Sequence, residues 1–355
     1  MKKFFIYLLL ALVALGGLLR FSIEFQGPQN LAMKLLASFS MQRVADGLPN
    51  PDSLRIFICG SASPLGQSDR AQSCIAVLTP KHFYIVDSGA ASTANVTNAQ
   101  LPMARLQGVF LTHFHSDHIA ELYELNLNSW VLGRPEPLRV YGPKGVRRIV
   151  AGVNDTYELD RSYRIEHHGE DLLRPELGEL NHKTIKAGVI LEDGDLKVTA
   201  YAADHDPVNP AVGYRFDYRG RSVVISGDSN VTGSTRRIAA NTDLLLHDAL
   251  SQPVMKKLSE SASQAGLSRM SKIMDDVLDY HASTTSLVKL GSEVDIDMVA
   301  FYHLVPVPAN VIVEQFFLRD LPENFVLADD GDWFELPADS DEIKITTNGI
   351  LNTFQ

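Results

Sequence analysis

Cysteine is nearly absent from this chain of 355 residues, which carries only Cys59 and Cys74. Two cysteines are too few for a cysteine zinc cluster or a disulfide-stapled scaffold, and they allow at most one disulfide. An excess of positive charge is missing as well: 43 acidic side chains stand against 32 basic ones, for a formal net charge of -11. That balance argues against nucleic acid as a partner, because phosphate binding needs a basic footprint that releases counterions. Only a local basic patch escapes the argument. There is no short repeat and no low-complexity tract. With 45% hydrophobic residues the chain can bury a large core, which excludes disorder and collagen-like sequence.

Long apolar runs are scarce too, apart from one at the start. Lys2-Lys3, the uncharged run from Phe4 to Leu19 and then Arg20 have the layout of an export signal or a membrane anchor. The run falls between a spanning helix of about 17 to 25 apolar residues and a cleavable core of about 7 to 15. Residues 1–20 are therefore expected to be a signal peptide or signal anchor, with the lysines in the cytoplasm. The rest of the chain would be periplasmic or extracellular, held to the inner membrane through this helix if it is uncleaved. In that oxidising space Cys59 and Cys74 can pair, although their apolar strand-like surroundings suit two buried thiols equally well. Residues 21–52 read as a linker with a short helical stretch around 31–41, and residues 53–355 as one folded domain.

Within that domain, residues 54–59, 73–78 and 83–86 read as closely spaced strands, which predicts an antiparallel meander. Short apolar strands at 108–111 and 138–141 alternate with helical patterns at 119–132 and 145–154. Strand character returns at 196–202, 213–218, 222–226, 244–247 and 298–301, so the expected architecture is layered α/β. The stretch 156–186 is densely charged and poorly periodic, and is expected to be a surface excursion or a cap.

The strongest chemical signal is Thr112-His113-Phe114-His115-Ser116-Asp117-His118, directly after the strand at 108–111. Histidines two apart in an extended turn point the same way, and Asp117 and His118 add a carboxylate and an imidazole at the helix entry. Four ligand-type side chains converge there, a set that suits zinc. His205, Asp228 in Ser226-Gly227-Asp228-Ser229 and His303 also fall at predicted strand ends. Together these motifs resemble the metallo-β-lactamase superfamily, and most closely its ribonuclease Z and zinc-dependent arylsulfatase branch. The resemblance runs from about Arg55 to Pro306. It takes in the loop Gly60 to Pro64 and Asp69 to Ser73, the turn Val86-Asp87-Ser88-Gly89 and the turn Tyr141-Gly142-Pro143.

The resemblance implies an α/β fold, a four-layer αββα sandwich with a dinuclear metal site at one edge, and hence a single domain. It implies that His113, His115 and His205 hold one metal, that Asp117, His118 and His303 hold the other, and that Asp228 bridges them. Two zinc ions are the expected cofactor, with manganese or iron as alternatives. Ions sharing a bridge about 3.5 to 4 Å apart bring the pKa of water toward about 7. Class B β-lactamases lack the bridging aspartate and commonly use a cysteine ligand; neither cysteine here is so placed, which disfavours antibiotic hydrolysis. His247-Asp248-Ala249-Leu250 resembles the family's His-Glu-Ala-Thr segment, and His281-Ala282-Ser283-Thr284 its His-Ser-Thr segment. By that likeness His281 is the general acid and Asp248 orients it, so Asp117, Asp228, His281 and Asp248 form the expected catalytic set. Asp248 is one methylene shorter than the family's glutamate, and Ala282 is an insertion. His247 reads as a buried strand-end residue, and His82, His167, His168 and His182 as solvated surface positions.

The expected function is an exported dinuclear hydrolase that cleaves a small phosphodiester or sulfate ester, with a small anionic ester as partner. The alternatives are a ribonuclease Z-like endoribonuclease, a lactone or thioester hydrolase on the same site, and a non-catalytic scaffold. Retention of the full ligand set argues against the last. Arg134, Tyr163 and Arg164 are candidates to clasp an anion but read as solvated loop positions. Loops after Asp87, around 130–137, across 156–186 and after His303 are expected to shape the pocket. The sequence leaves the oligomeric state open.

Overall fold

The computed structural model describes residues 4–7, 12, 14–18, 20, 25–66, 68–347 and 350–354. The chain divides into two compact units, Met1–Pro49 and Asn50–Gln355. In the first, the expected linker contains one helix of 21 residues, Gln26–Asp46. Its stretch from Asn30 to Asp46 lacks glycine and proline and is rich in alanine, leucine and methionine, good helix formers; Pro28 sits in the first turn, where proline is tolerated. Among the described residues no helix is long and apolar enough to cross a membrane. Residues 1–3, 8–11, 13 and 19 of the expected signal or anchor lie outside the described residues.

The second unit is built on two sheets. β1 (Ser53–Gly60), β2 (Cys74–Leu78) and β3 (Phe83–Val86) form the expected antiparallel meander. β4 (Gly108–Phe110), β5 (Arg139–Gly142) and β6 (Asn181–Thr184) extend it in parallel. The second sheet holds β7 (Gly188–Asp193), β8 (Leu196–His205), β9 (Val208–Tyr218) and β10 (Arg221–Ile225) as antiparallel neighbours. It continues in parallel through β11 (Thr242–Leu250), β12 (Ile296–Val305) and β13 (Phe325–Leu327). β14 (Trp333–Pro337), β15 (Ile343–Thr347) and β16 (Ile350–Phe354) then return to the first sheet beside β1.

Hydrophobic patterning explains the layering. Val223, Ile225, Leu244 and Leu246 of the second sheet meet Ile56, Val77 and Phe110 of the first in one cluster. The intervening Val224 and Leu245 point the other way, against Leu287 and Leu290 of the helix Thr284–Glu293. Strands buried on both faces read as continuous apolar runs, which is why 222–226 and 244–247 are legible. On the first sheet the helix Val146–Thr156 folds back onto β5, where a Cβ at Gly142 would touch the Val146 side chain.

The stretch 156–186 is more ordered than its charge suggests: it forms the helix Glu158–His168, a turn of helix at Pro175–Gly178 and the edge strand β6. Leu173 and Leu177 pack on Trp130, whose indole N–H donates to the Arg174 carbonyl. Cys59 and Cys74 form a disulfide, so the reading as free thiols is set aside. The bridge ties β1 to β2 at the base of the loop 61–73.

Candidate metal centre

Parallel strands deliver their carboxyl ends to one edge, where α/β proteins build ligand sites. β3 leads to Asp87, β4 to Thr112 and His113, β10 to Asp228, and β11 and β12 carry Asp248 and His303 near their carboxyl ends. His303 reaches the site through a break in pairing: Asp248 faces Tyr302 but Ala249 faces Leu304, so His303 is an extra residue, with φ 42. Such a bulge re-aims a side chain. A non-glycine residue in the left-handed region is held there only by its surroundings.

All seven residues expected to ligate metal come together. The ligand-type atoms of His113, His115, His205 and Asp228 lie within 4.8 Å of one another, and so do those of Asp117, His118, Asp228 and His303. Asp228, 3% exposed, belongs to both groups. Its Oδ2 is 3.8 Å from His113 Nε2 and 3.7 Å from His205 Nε2, while its Oδ1 is 3.4 Å from His118 Nε2 and 3.3 Å from His303 Nε2.

The outer nitrogens of His118 and His205 are anchored, which fixes the orientations of those two rings. His118 Nδ1 donates to Asp87 Oδ2 at 2.8 Å, and His205 Nδ1 donates to the Tyr280 carbonyl at 3.0 Å. Asp87 also accepts from the Thr112 N–H and hydroxyl. The sequence reading singled out the turn around Asp87 but not this role. Whether the donor set fits a cation is tested by its orphaned atoms: His118 Nε2, Asp228 Oδ1 and His303 Nδ1 are buried with no hydrogen-bond partner. Buried polar atoms are costly to leave unpaired, and the first two face the shared space between the groups. The set fits a metal ion.

Electrostatics agree. Burial, and then the neighbouring His118, hold His113 well below the ordinary histidine range, and burial likewise lowers His115 and His205. Neutral imidazole is the form that ligates. Burial pushes the Asp117 carboxyl up, but hydrogen bonds from His118 and His303 outweigh it and keep Asp117 ionised. Burial also lowers His118, yet Asp228 and then Asp87 more than reverse that and raise it well above its usual value. A cation there displaces a proton.

His281 lines the same cavity of about 280 Å3 as Asp117, Asp228 and His303. Its Nδ1 lies 2.9 Å from Asp248 Oδ2, and Asp248 Oδ1 lies 2.8 Å from His247 Nδ1. Asp248 and His247 are fully buried, so the shorter aspartate still reaches. The inserted Ala282 is buried, and its carbonyl accepts from the Leu250 N–H. Beside Ser63 and Ser116, the remaining cavity wall is mostly apolar: Pro64 and Leu65 from the loop above the disulfide, Ile273 and Val277, Val305, and half-buried Tyr280. Of these the sequence marked the loop and, after His303, Val305. Residues 130–137, expected at the pocket, lie at the opposite edge of the sandwich, ahead of β5. Arg134 is buried at 2% exposure, Tyr163 is exposed, and Arg164 pairs with Asp160 at 2.8 Å. His82, expected at the surface, is buried against Thr79 and Asp193.

Comparison with known proteins matches this geometry. Residues 84–287 match the Beta-lactamase superfamily domain. Ribonuclease Z of Mycobacterium bovis (strain BCG / Pasteur 1173P2) is 30% identical over 256 residues, 71% of this chain and 86% of that protein. The metallo-beta-lactamase fold protein YhfI from Bacillus subtilis superposes with a TM-score of 0.57 at 16% identity, over 80% of this chain and 99% of that one. Human tRNase Z, short form, does so with a TM-score of 0.56 at 18% identity, over the same shares. The chain belongs to the metallo-β-lactamase superfamily, in the branch that includes these ribonuclease Z relatives. It is a metal-dependent hydrolase acting on ester bonds.

These relatives, ribonucleases by name, overturn the expectation that nucleic acid is not a partner. Net charge misled because it sums over the whole surface, whereas a phosphate backbone responds to local charge. Lys144, Arg147 and Arg148 are exposed just beyond the carboxyl end of β5, and none makes an ion pair among the described residues. Their turn touches the metal motif: a Cβ at Gly145 would sit 2.8 Å from the Phe114 ring.

Proposed function

We propose that the protein is a ribonuclease Z-like endonuclease that cleaves an RNA phosphodiester at a centre of two zinc ions. The observation that carries this reading is the 30% identity to a ribonuclease Z across 86% of its length, in a chain that brings together two His/Asp groups sharing Asp228. His113, His115 and His205 would hold one ion and Asp117, His118 and His303 the other, with one Asp228 oxygen turned to each; manganese or iron are the alternatives. When bound, the ions polarise the phosphate and supply a nucleophile from water at neutral pH.

The chain's own residues do the rest. Asp248, held from behind by His247, fixes the His281 ring through Nδ1. That leaves His281 Nε2 as the nitrogen able to give a proton to the departing ribose oxygen, a step worth about 100- to 10,000-fold in general-acid catalysis. Pro64, Leu65, Ile273 and Val277 exclude water from one side, and Tyr280 offers a ring to an adjacent base. Lys144, Arg147 and Arg148 supply the local positive charge that a phosphate backbone needs.

A second reading, a hydrolase of a small phosphodiester or sulfate ester outside the cytoplasm, draws on one observation. The Cys59–Cys74 disulfide suits an oxidising compartment. One experiment separates the two. The zinc-loaded protein is given a tRNA precursor, bis(4-nitrophenyl) phosphate and 4-nitrophenyl sulfate, and kcat/KM is measured for each. Site-specific cleavage of the precursor, with the small esters turned over far more slowly, supports the endonuclease. An intact precursor beside rapid sulfate or diester turnover sinks it.

A further inference from the structure

A second cavity, larger than the one at the metal centre, lies at the other edge of the fold. It measures about 1010 Å3 and opens where β3, β4, β5 and β6 begin, whereas the metal motif follows the strands' carboxyl ends. Gln107 on its wall and His113 at the centre are separated by extended chain that advances about 3.3 Å per residue, so the two sites occupy opposite edges of the sandwich.

Five cationic side chains line the cavity: Lys81, Arg105, Arg134, Arg139 and Lys183. None of them forms an ion pair among the described residues. Carboxylates are present on the same wall, at Glu136, Glu192 and Asp193, and the one of these that pairs does so with His82, at 3.3 Å. In a chain with a net charge of -11, a wall on which five cations stand beside three carboxylates is a local exception.

The most telling group is Arg134. It is 2% exposed, and its Nη2 donates to Asn126 Oδ1 at 2.9 Å and to the Leu177 carbonyl at 2.7 Å. Its Nε and Nη1 have no hydrogen-bond partner. Burial pulls its pKa down to about 10 with no carboxylate to restore it. A guanidinium withdrawn from water without a counter-charge is destabilising unless something else supplies one, and Arg134 is one of the residues that line the cavity. Lys183 Nζ sits 5.5 Å from the centre of the Tyr141 ring, and Tyr84 lines the same wall, so aromatic surface lies beside the charge. Small-molecule sites typically enclose about 300 to 1000 Å3 with a few convergent polar groups.

We propose that this cavity is a second binding site, for a small phosphate-bearing anion of mononucleotide size, at the edge of the sandwich opposite the metal centre. The phosphate takes the place of the missing counter-charge at Arg134, and Arg139 and Lys183 at the mouth draw it in. The site is independent of the proposed nuclease activity and stands or falls separately from it.

Equilibrium dialysis with radiolabelled AMP tests the proposal on the full chain, once with zinc bound and once after EDTA treatment. Saturable binding is expected in both states. Adenosine, which lacks the charge, should fail to compete, and inorganic phosphate should compete. Arg139→Gln combined with Lys183→Gln, both exposed and away from the core, should weaken binding at least tenfold and leave cleavage at the metal centre unchanged. Arg134→Met should abolish it; if that variant fails to fold, the double variant decides. Binding lost on chelation would assign the AMP to the metal centre and overturn the proposal. So would an unchanged affinity in the double variant, or no saturable binding at all.

Discussion

Asp228 turns one oxygen toward His113 and His205 and the other toward His118 and His303, so its removal should affect both ion positions at once. Asp228→Ala is expected to lower bound zinc from about two ions to one or fewer and to abolish turnover, as read by elemental analysis beside the precursor assay. Asp87 works one step further out. Because it anchors His118 Nδ1 and both donors of Thr112, Asp87→Asn should keep the fold but weaken zinc about 10- to 100-fold, the usual range for a residue that orients a ligand. Competition with a chromogenic chelator would measure it, and unchanged affinity would show that the His118 ring holds its place without Asp87. The pH dependence has a definite sign. Asp228 and Asp87 raise His118 against the lowering effect of burial, so the ring carries a proton near neutrality that a metal must displace. Zinc affinity is therefore expected to fall as pH drops from 8 to 6. At this scale the ligand types were legible, because histidine and aspartate at strand ends are recognisable in one sequence. The roles of Asp87 and Tyr280 and the burial of Arg134 were not: each rests on a contact with distant chain, which a linear reading does not contain.

The loop 61–73 and the disulfide below it form one functional element, since Pro64 and Leu65 wall the cavity and Cys59–Cys74 closes the loop at its base. A bridge across 15 residues restricts the unfolded chain by about 3 kcal/mol. Replacing both cysteines by alanine should lower unfolding stability by roughly that amount in a denaturant titration. It should also raise KM more than it lowers kcat, because the loop touches substrate and not the ions. Elements were legible where burial imposes a period. β10 and β11 are covered on both faces and read as apolar runs, and β2 and β3 are betrayed by the short turn between them. The helix Glu158–His168 was not legible because its only buried residue is Arg161, leaving no apolar stripe to read. β14 to β16 escaped for a related reason: the last of them is exposed along most of its length, and the hairpins join the sheet beside β1, almost the whole chain away.

For the whole molecule, fold and edge-located site follow from motifs spread between residues 113 and 303, whereas the partner did not follow from composition, because a net charge of -11 conceals where the positive charges stand. The nuclease reading turns that point into a measurement. If RNA lies along Lys144, Arg147 and Arg148, each phosphate neutralised releases counterions, and log KM should rise with log salt by about 0.7 to 0.9 per contact. The triple change to glutamine should then cut that slope by about 2 to 3 and raise KM for the tRNA precursor steeply at moderate salt. Turnover of bis(4-nitrophenyl) phosphate, too small to reach the patch, should stay the same. The contrast between substrates carries the argument, since damage to the fold or to the metal centre would slow both. An equal loss on both substrates would place the basic turn in the scaffold, and an unchanged slope would move the RNA track to another face of the metal edge.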